Sequence, residues 1–114
     1  MSIHTIDVSE PWFSLIESGT KKVEGRKGTA KWIKINPGDV IRFTSPNKTP
    51  FFRVVKDVRY YDGDDVDPLT DYLINEGIRN CLPGVTRLDE AREIYLGFWS
   101  MDEIIEYGML AIEV

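Results

Sequence analysis

Residues 19–26 read Gly19-Thr20-Lys21-Lys22-Val23-Glu24-Gly25-Arg26, a Gly-x-Lys-x-x-Glu-x-Arg pattern. Gly19 closes a run with helical spacing, and the stretch from Lys21 to Arg26 is predicted as a strand. Strand side chains alternate, so Lys22, Glu24 and Arg26 are expected on one face and Lys21 and Val23 on the other. Lys21 lies beside the helix-to-strand turn, from which its long stem can swing to the mouth of a pocket. Arg26 can grip phosphate or carboxylate with its planar fork. Glu24 can orient the cations or accept from a base amino group. Lys21, if partly desolvated, has a lowered pKa and can act as a base. The same spacing also fits a strand carrying cross-strand ion pairs of small worth.

Upstream of this stretch, His4 to Val8 alternates polar and apolar residues and reads as a first strand. Ser9 is placed to cap a helix with Pro11 in its first turn and Trp12, Phe13, Leu15 and Ile16 at helical spacing. Downstream, Asn36-Pro37-Gly38-Asp39 has the residues of a type II turn, and Val40 to Thr44 follows as a strand. Ser45 to Pro50 is a second turn region. Phe51 to Tyr61 is a long β-rich run with Phe52, Val54, Val58 and Tyr60 on one face. Lys56 breaks that face, which points to a bulge or a barrel edge. Pro68 to Glu76 reads as a helix with Leu69, Tyr72 and Leu73 inward and Gly77 ending it. Thr86 with Asp89, and Ser100 with Glu103, have the spacing of capping boxes. They predict one helix through Ile94, Tyr95 and Phe98 and a shorter one ending at Gly108. Met109 to Val114 alternates and closes the chain as a strand. The mixture predicts an α+β fold: a small, mostly antiparallel β-barrel with short flanking helices, in a single domain over residues 1–114.

At 114 residues the chain has the size of one domain. Its 42% hydrophobic and 29% charged residues exclude disordered and fibrous classes. The apolar runs are too short to span a membrane. Met1 to Asp7 lacks the features of a signal peptide. The lone Cys81 cannot form an internal disulfide, so an intracellular, cytoplasmic setting is expected, or a nuclear one in a eukaryote. Neither a metal nor a cofactor is expected, since His4 and Cys81 stand apart from other ligands. The acidic run Asp62-x-Asp64-Asp65-x-Asp67 lacks the Gly and Glu that a calcium loop needs and reads as a solvated loop.

The net charge of -5 argues against a protein that coats nucleic acid by charge alone. The charge is uneven, however. Lys21 to Lys34 holds six basic residues and one acid, a net +5, while the remainder holds eight basic residues and eighteen acids, a net -10. Trp12, Trp32 and the tyrosines can supply stacking surfaces beside such a basic cleft, which points to RNA or a nucleotide.

Four further segments bear on the family: Glu10-Pro11-Trp12-Phe13, Pro37-Gly38-Asp39-Val40-Ile41, Leu82-Pro83-Gly84-Val85 and Glu93-Ile94-Tyr95. With Glu76-Gly77-Ile78, Tyr107-Gly108 and the Gly19–Arg26 pattern, they resemble an ASCH domain of the PUA-like superfamily, in its small stand-alone form. The resemblance implies a small β-barrel with flanking helices and a cleft lined by the motif. It implies a nucleic-acid-binding module, with RNA or a nucleotide as partner and DNA as an alternative; the short apolar runs leave no membrane partner, and the acidic second half, from Asp62 to Glu106, leaves room for a protein partner. Trp12, Lys21, Lys22, Glu24 and Arg26 are then the binding residues. The resemblance also implies an alternative, since some small members are hydrolases acting on acetylated cytidine or RNA. In that case Lys21 and Glu24 would be catalytic. Lys21 matches the lysine of the amidohydrolase branch, but Glu24 occupies the place of its threonine, and Glu76 falls near its glutamate.

Overall fold

The computed structural model describes residues 1–114. In chain order the elements are β1 (Ile3–Asp7), α1 (Trp12–Glu17), β2 (Val23–Lys27), α2 (Ala30–Ile33), β3 (Val40–Thr44) and β4 (Phe51–Val54). Then come β5 (Asp57–Tyr61), α3 (Pro68–Glu76), α4 (Ile78–Cys81), α5 (Leu88–Leu96), α6 (Met101–Tyr107) and β6 (Met109–Glu113). The strands form two three-stranded sheets. The first has the order β1-β3-β4, with β1 parallel to β3 and β4 antiparallel to it. The second has the order β2-β6-β5 and is antiparallel throughout. The α+β class holds, but no strand pairing joins the two sheets, so the expected barrel is not closed.

Strand β6 explains the layering. Met109, Leu110, Ala111 and Ile112 are all buried. Met109 and Ala111 pack with Leu69, Tyr72 and Tyr95 of the helices. Leu110 and Ile112 pack with Ile6, Ile41 and Phe43 of the first sheet. The strand expected to alternate is therefore apolar on both faces, because it lies at the centre of a middle layer covered twice. Met109, Leu110 and Ile112 each contribute about 1.5–3 kcal/mol on burial. No helix is long and apolar enough to cross a membrane.

The run from Phe51 to Tyr61 is not one strand with a bulge. It divides into β4 and β5, which belong to different sheets. Val55 and Lys56 carry the chain across: the Val55 amide donates to Asp39 O (2.8 Å) and the Lys56 amide to Glu113 O (2.8 Å). In β4 Phe52 and Val54 are exposed, so the interior takes the other face; in β5 Tyr60 is exposed, but Val58 packs against the first-sheet cluster and Tyr61 against the helical one. Phe51 decides this in β4, since its ring fills the gap between Phe13 and Phe43, at centroid distances of 4.9 and 5.3 Å.

Turns and caps follow local chemistry where the side chain is free to do so. Gly38 has φ 91° and the Asp39 amide donates to Asn36 O (3.0 Å), the expected type II arrangement. Ser100 and Glu103 form a full capping box. Thr86 does not cap α5, which begins at Leu88 with Arg87 before it; Arg87 instead pairs with Asp89. Ser9 offers α1 only its carbonyl, and the Glu10 carboxylate takes the Ser14 amide at 2.8 Å. Asp67, at the end of the acidic loop, caps α3 through the Thr70 amide and binds Arg92.

Candidate functional site

Strand β2 forms one edge of the middle sheet. A cavity of about 310 Å³ opens along that edge, between the start of α1 and the end of α5. Trp12 and Val8 line it from the first-sheet side, and Tyr95, Phe98 and Trp99 from the helical side. Lys21, Glu24, Gly25 and Arg26 also line it, from β2 and the turn before it. Trp12 packs against both hydrophobic clusters, so it is a core side chain and a cavity wall at once.

The motif residues converge, though not by simple alternation. Strand geometry starts at Val23, so Lys21 lies on the turn and its side chain enters the same space as Glu24. The Lys21 Nζ donates to Val23 O (2.5 Å) and to Cys81 O, and stands 3.6 Å from Glu24 Oε1. Lys21 is only 3% exposed, and burial pushes its ammonium below the ordinary lysine pKa, against the pull of Glu24. Glu24 Oε2 accepts from Arg26 Nη2 (2.8 Å) and Nε (3.2 Å). Arg26 Nη2 also donates to Asp7 O (2.9 Å), and the guanidinium lies 5.4 Å from the Trp32 ring centroid. A chain of charge thus runs from the cavity interior to a partly buried tryptophan.

Lys22 is not part of this group. Its amide donates to Asn80 O (3.0 Å), its side chain is exposed, and it borders two other grooves. Alternation fails here because the residues before Val23 belong to the turn, where two carbonyls draw Lys21 inward. The other cations of the basic segment also disperse. Lys27 pairs with Glu103 at 2.7 Å, and Lys31 lies 4.6 Å from the Trp32 ring centroid. Within the cavity, Lys21 and Arg26 are matched by Asp7 and Glu24, so the lining carries mixed rather than basic charge.

Glu76 also lies elsewhere. Arg59 holds its carboxylate in two hydrogen bonds of 2.6 and 2.7 Å, and the Tyr61 hydroxyl donates to it as well. Burial raises the Glu76 pKa, but the hydrogen bonds from Arg59 and Tyr61 outweigh it and leave the group below its ordinary value. Burial and the Glu76 carboxylate push Tyr61 up to about 12. This network borders a groove separate from the Lys21 cavity.

Several lining residues were invisible in the motif. Tyr95 and Trp99 stack at 6.0 Å with 26° between their planes. Phe98 lies beyond the end of α5 and is half exposed, not a residue of the helix as its spacing suggested. The available signal was an aromatic pair, Phe98-Trp99, placed between a helix stop at Gly97 and a cap at Ser100. Large apolar rings in a short connection have no local role, and a cavity wall accounts for them.

The model of the ASCH domain matches residues 6–108. The crystal structure of hypothetical protein PH0355 is similar over 99% of this chain and 96% of that one, with 34% identity and a TM-score of 0.83. The solution NMR structure of protein PF0455 from Pyrococcus furiosus is similar over 99% of this chain and 94% of that one, with 33% identity and a TM-score of 0.74. No curated protein matches the chain.

Proposed function

The chain belongs to the ASCH domain family, and from that premise we propose that it binds RNA or a nucleotide, with one base seated in the cavity beside β2. The observation that carries this reading is the meeting of aromatic walls with the Lys21–Glu24–Arg26 group in one space of about 310 Å³. Trp12 and Trp99 supply flat apolar surfaces. Stacking of a base on such a ring contributes about 1–3 kcal/mol. Arg26, partly exposed, is the group placed to meet a phosphate. The family's PUA-like fold supports RNA in general, and single-stranded DNA offers the same base and phosphate chemistry. An acidic surface around a mixed-charge cavity favours a single seated base over a long polyanion track.

The test is filter binding of single-stranded RNA, duplex RNA and single-stranded DNA at two salt concentrations, with wild type and Arg26→Ala. The reading expects single strands to bind best and the variant to show a salt slope shallower by about one. Equal binding by wild type and variant at both salts would count against it.

The second reading is hydrolysis of a nucleoside or RNA. One observation favours it: Lys21 lies in the cavity with a pKa lowered by burial, as a general base needs. Against it, the ammonium already serves two carbonyls and stands beside Glu24, while Glu76 is committed to Arg59. Product from acetylated cytidine or labelled RNA that vanishes with Lys21→Ala would make this the better account.

A further inference from the structure

Along the outward edge of β2, Gly25 alone leaves both its amide and its carbonyl open. In an antiparallel pair, alternate residues direct both backbone groups at the partner strand. The Val114 amide donates to Lys22 O (2.9 Å) and the Gly28 amide to Gly108 O (3.1 Å), so the even-numbered residues from 22 to 28 face β6. Val23, Gly25 and Lys27 therefore point away from the sheet. The Val23 carbonyl takes the Lys21 ammonium, and the Lys27 carbonyl takes the Thr29 amide at 2.8 Å. The Gly25 amide and carbonyl take nothing from the protein, although Gly25 is buried and lines the cavity. Buried backbone groups are almost always paired, so an open donor and acceptor on one residue call for a partner.

We infer that the Gly25 backbone reads the Watson–Crick edge of an unpaired nucleobase held between Trp12 and Trp99, the amide donating to the base and the carbonyl accepting from it. This rests on the nucleotide-binding reading above. Every base carries a hydrogen-bond donor beside an acceptor on that edge, and in a duplex both are occupied. Donor and acceptor stand open together only at Gly25, since Lys21 takes the Val23 carbonyl on one side and Thr29 the Lys27 carbonyl on the other. An added peptide strand would need those flanking carbonyls as well, whereas a planar base needs only this one residue. The glycine is itself enforced. A Cβ at residue 25 would lie 2.4 Å from the Tyr72 hydroxyl, so no side chain can stand beside these two groups. Lys21 is on this account a positioning residue: its ammonium occupies the neighbouring carbonyl, so that Gly25 alone presents a donor and an acceptor together.

The test uses the full chain, labelled with nitrogen-15, titrated with uridine 5′-monophosphate and with its 3-methyl form, whose methyl group blocks the ring donor. The inference expects the Gly25 amide to exchange about tenfold more slowly at saturation. It expects the methylated nucleotide to bind about tenfold more weakly, the loss of one good hydrogen bond. If uridine monophosphate moves the Trp12 and Trp99 indole signals but leaves Gly25 exchange unchanged, and methylation costs nothing, the inference fails while the nucleotide reading stands. If neither uridine monophosphate nor the adenosine, cytidine and guanosine monophosphates move any cavity signal, both fail. Slowed Gly25 exchange on adding an extended peptide, without any response to nucleotides, would also overturn the inference.

Discussion

The Lys21 ammonium and the Glu24 carboxylate lie 3.6 Å apart, and both side chains are buried. A buried ion pair on its own barely repays its desolvation. Here each member has further partners: the carbonyls of Val23 and Cys81 for Lys21, and the Arg26 guanidinium for Glu24. The pair ties the β2 edge to α4 and so fixes that side of the cavity.

Replacing Lys21 by Met leaves two carbonyls without their donor and Glu24 with one cation instead of two. A loss of about 3–5 kcal/mol is expected, read from urea denaturation of both proteins. A loss below about 1 kcal/mol would mean that the pair does not hold the β2 edge.

Glu76→Gln separates the two networks. The change removes the charge that faces Arg59 but keeps the shape, and a loss of about 1–3 kcal/mol is expected. Nucleotide affinity should be unchanged, since Glu76 borders a different groove. A variant of normal stability that bound nucleotide poorly, or lost a hydrolytic activity, would return Glu76 to the site.

Gly25→Ala sets a methyl group 2.4 Å from the Tyr72 hydroxyl and 3.2 Å from that of Tyr95. Those hydroxyls are themselves hydrogen-bonded at 2.8 Å in the core, so they cannot simply move aside. Overpacking of this kind costs about 1–3 kcal/mol, which thermal unfolding will show as a lower Tm. Tyr72→Phe in the same chain should recover part of the loss by removing the nearer oxygen.

How far the sequence revealed this fold depends on the kind of signal each residue carries. Local rules located α3 with its inward Leu69, Tyr72 and Leu73, the Gly38 turn and the Ser100 cap, because each depends on a few adjacent residues. The convergence of Trp12, Lys21, Glu24 and Arg26 was also legible, through the motif. Lys22 was misplaced because alternation was extended into a turn. Lys56 marked the interruption of Phe51 to Tyr61, but nothing local says that the chain changes sheets there; that follows from β6 demanding a cover on both faces. Tyr95, Phe98 and Trp99 escaped notice because they reach the cavity only through the packing of α5, more than 60 residues from the motif.

Acid stability should depend on Asp39. Its carboxylate accepts the Asn36 amide, lies 2.9 Å from His4 Nε2 and accepts the Ser2 amide. These hold its pKa near 2, down from 3.8. A depressed carboxylate contributes stability above its unfolded pKa and loses it as pH falls through the folded one. The loss should therefore fall between pH 3.8 and about 2. Asp39→Asn should be less stable at neutral pH and flatter across that window, which acid titration followed by circular dichroism will read.

Trp12 and Trp99 both line the cavity, so tryptophan emission reports directly on whatever enters it. The decisive measurement is a fluorescence titration of the wild-type chain with single-stranded RNA at low salt. The account predicts a saturable quench that weakens with salt and with Arg26→Ala. Emission that stays flat through the titration, with the protein folded throughout, would contradict it.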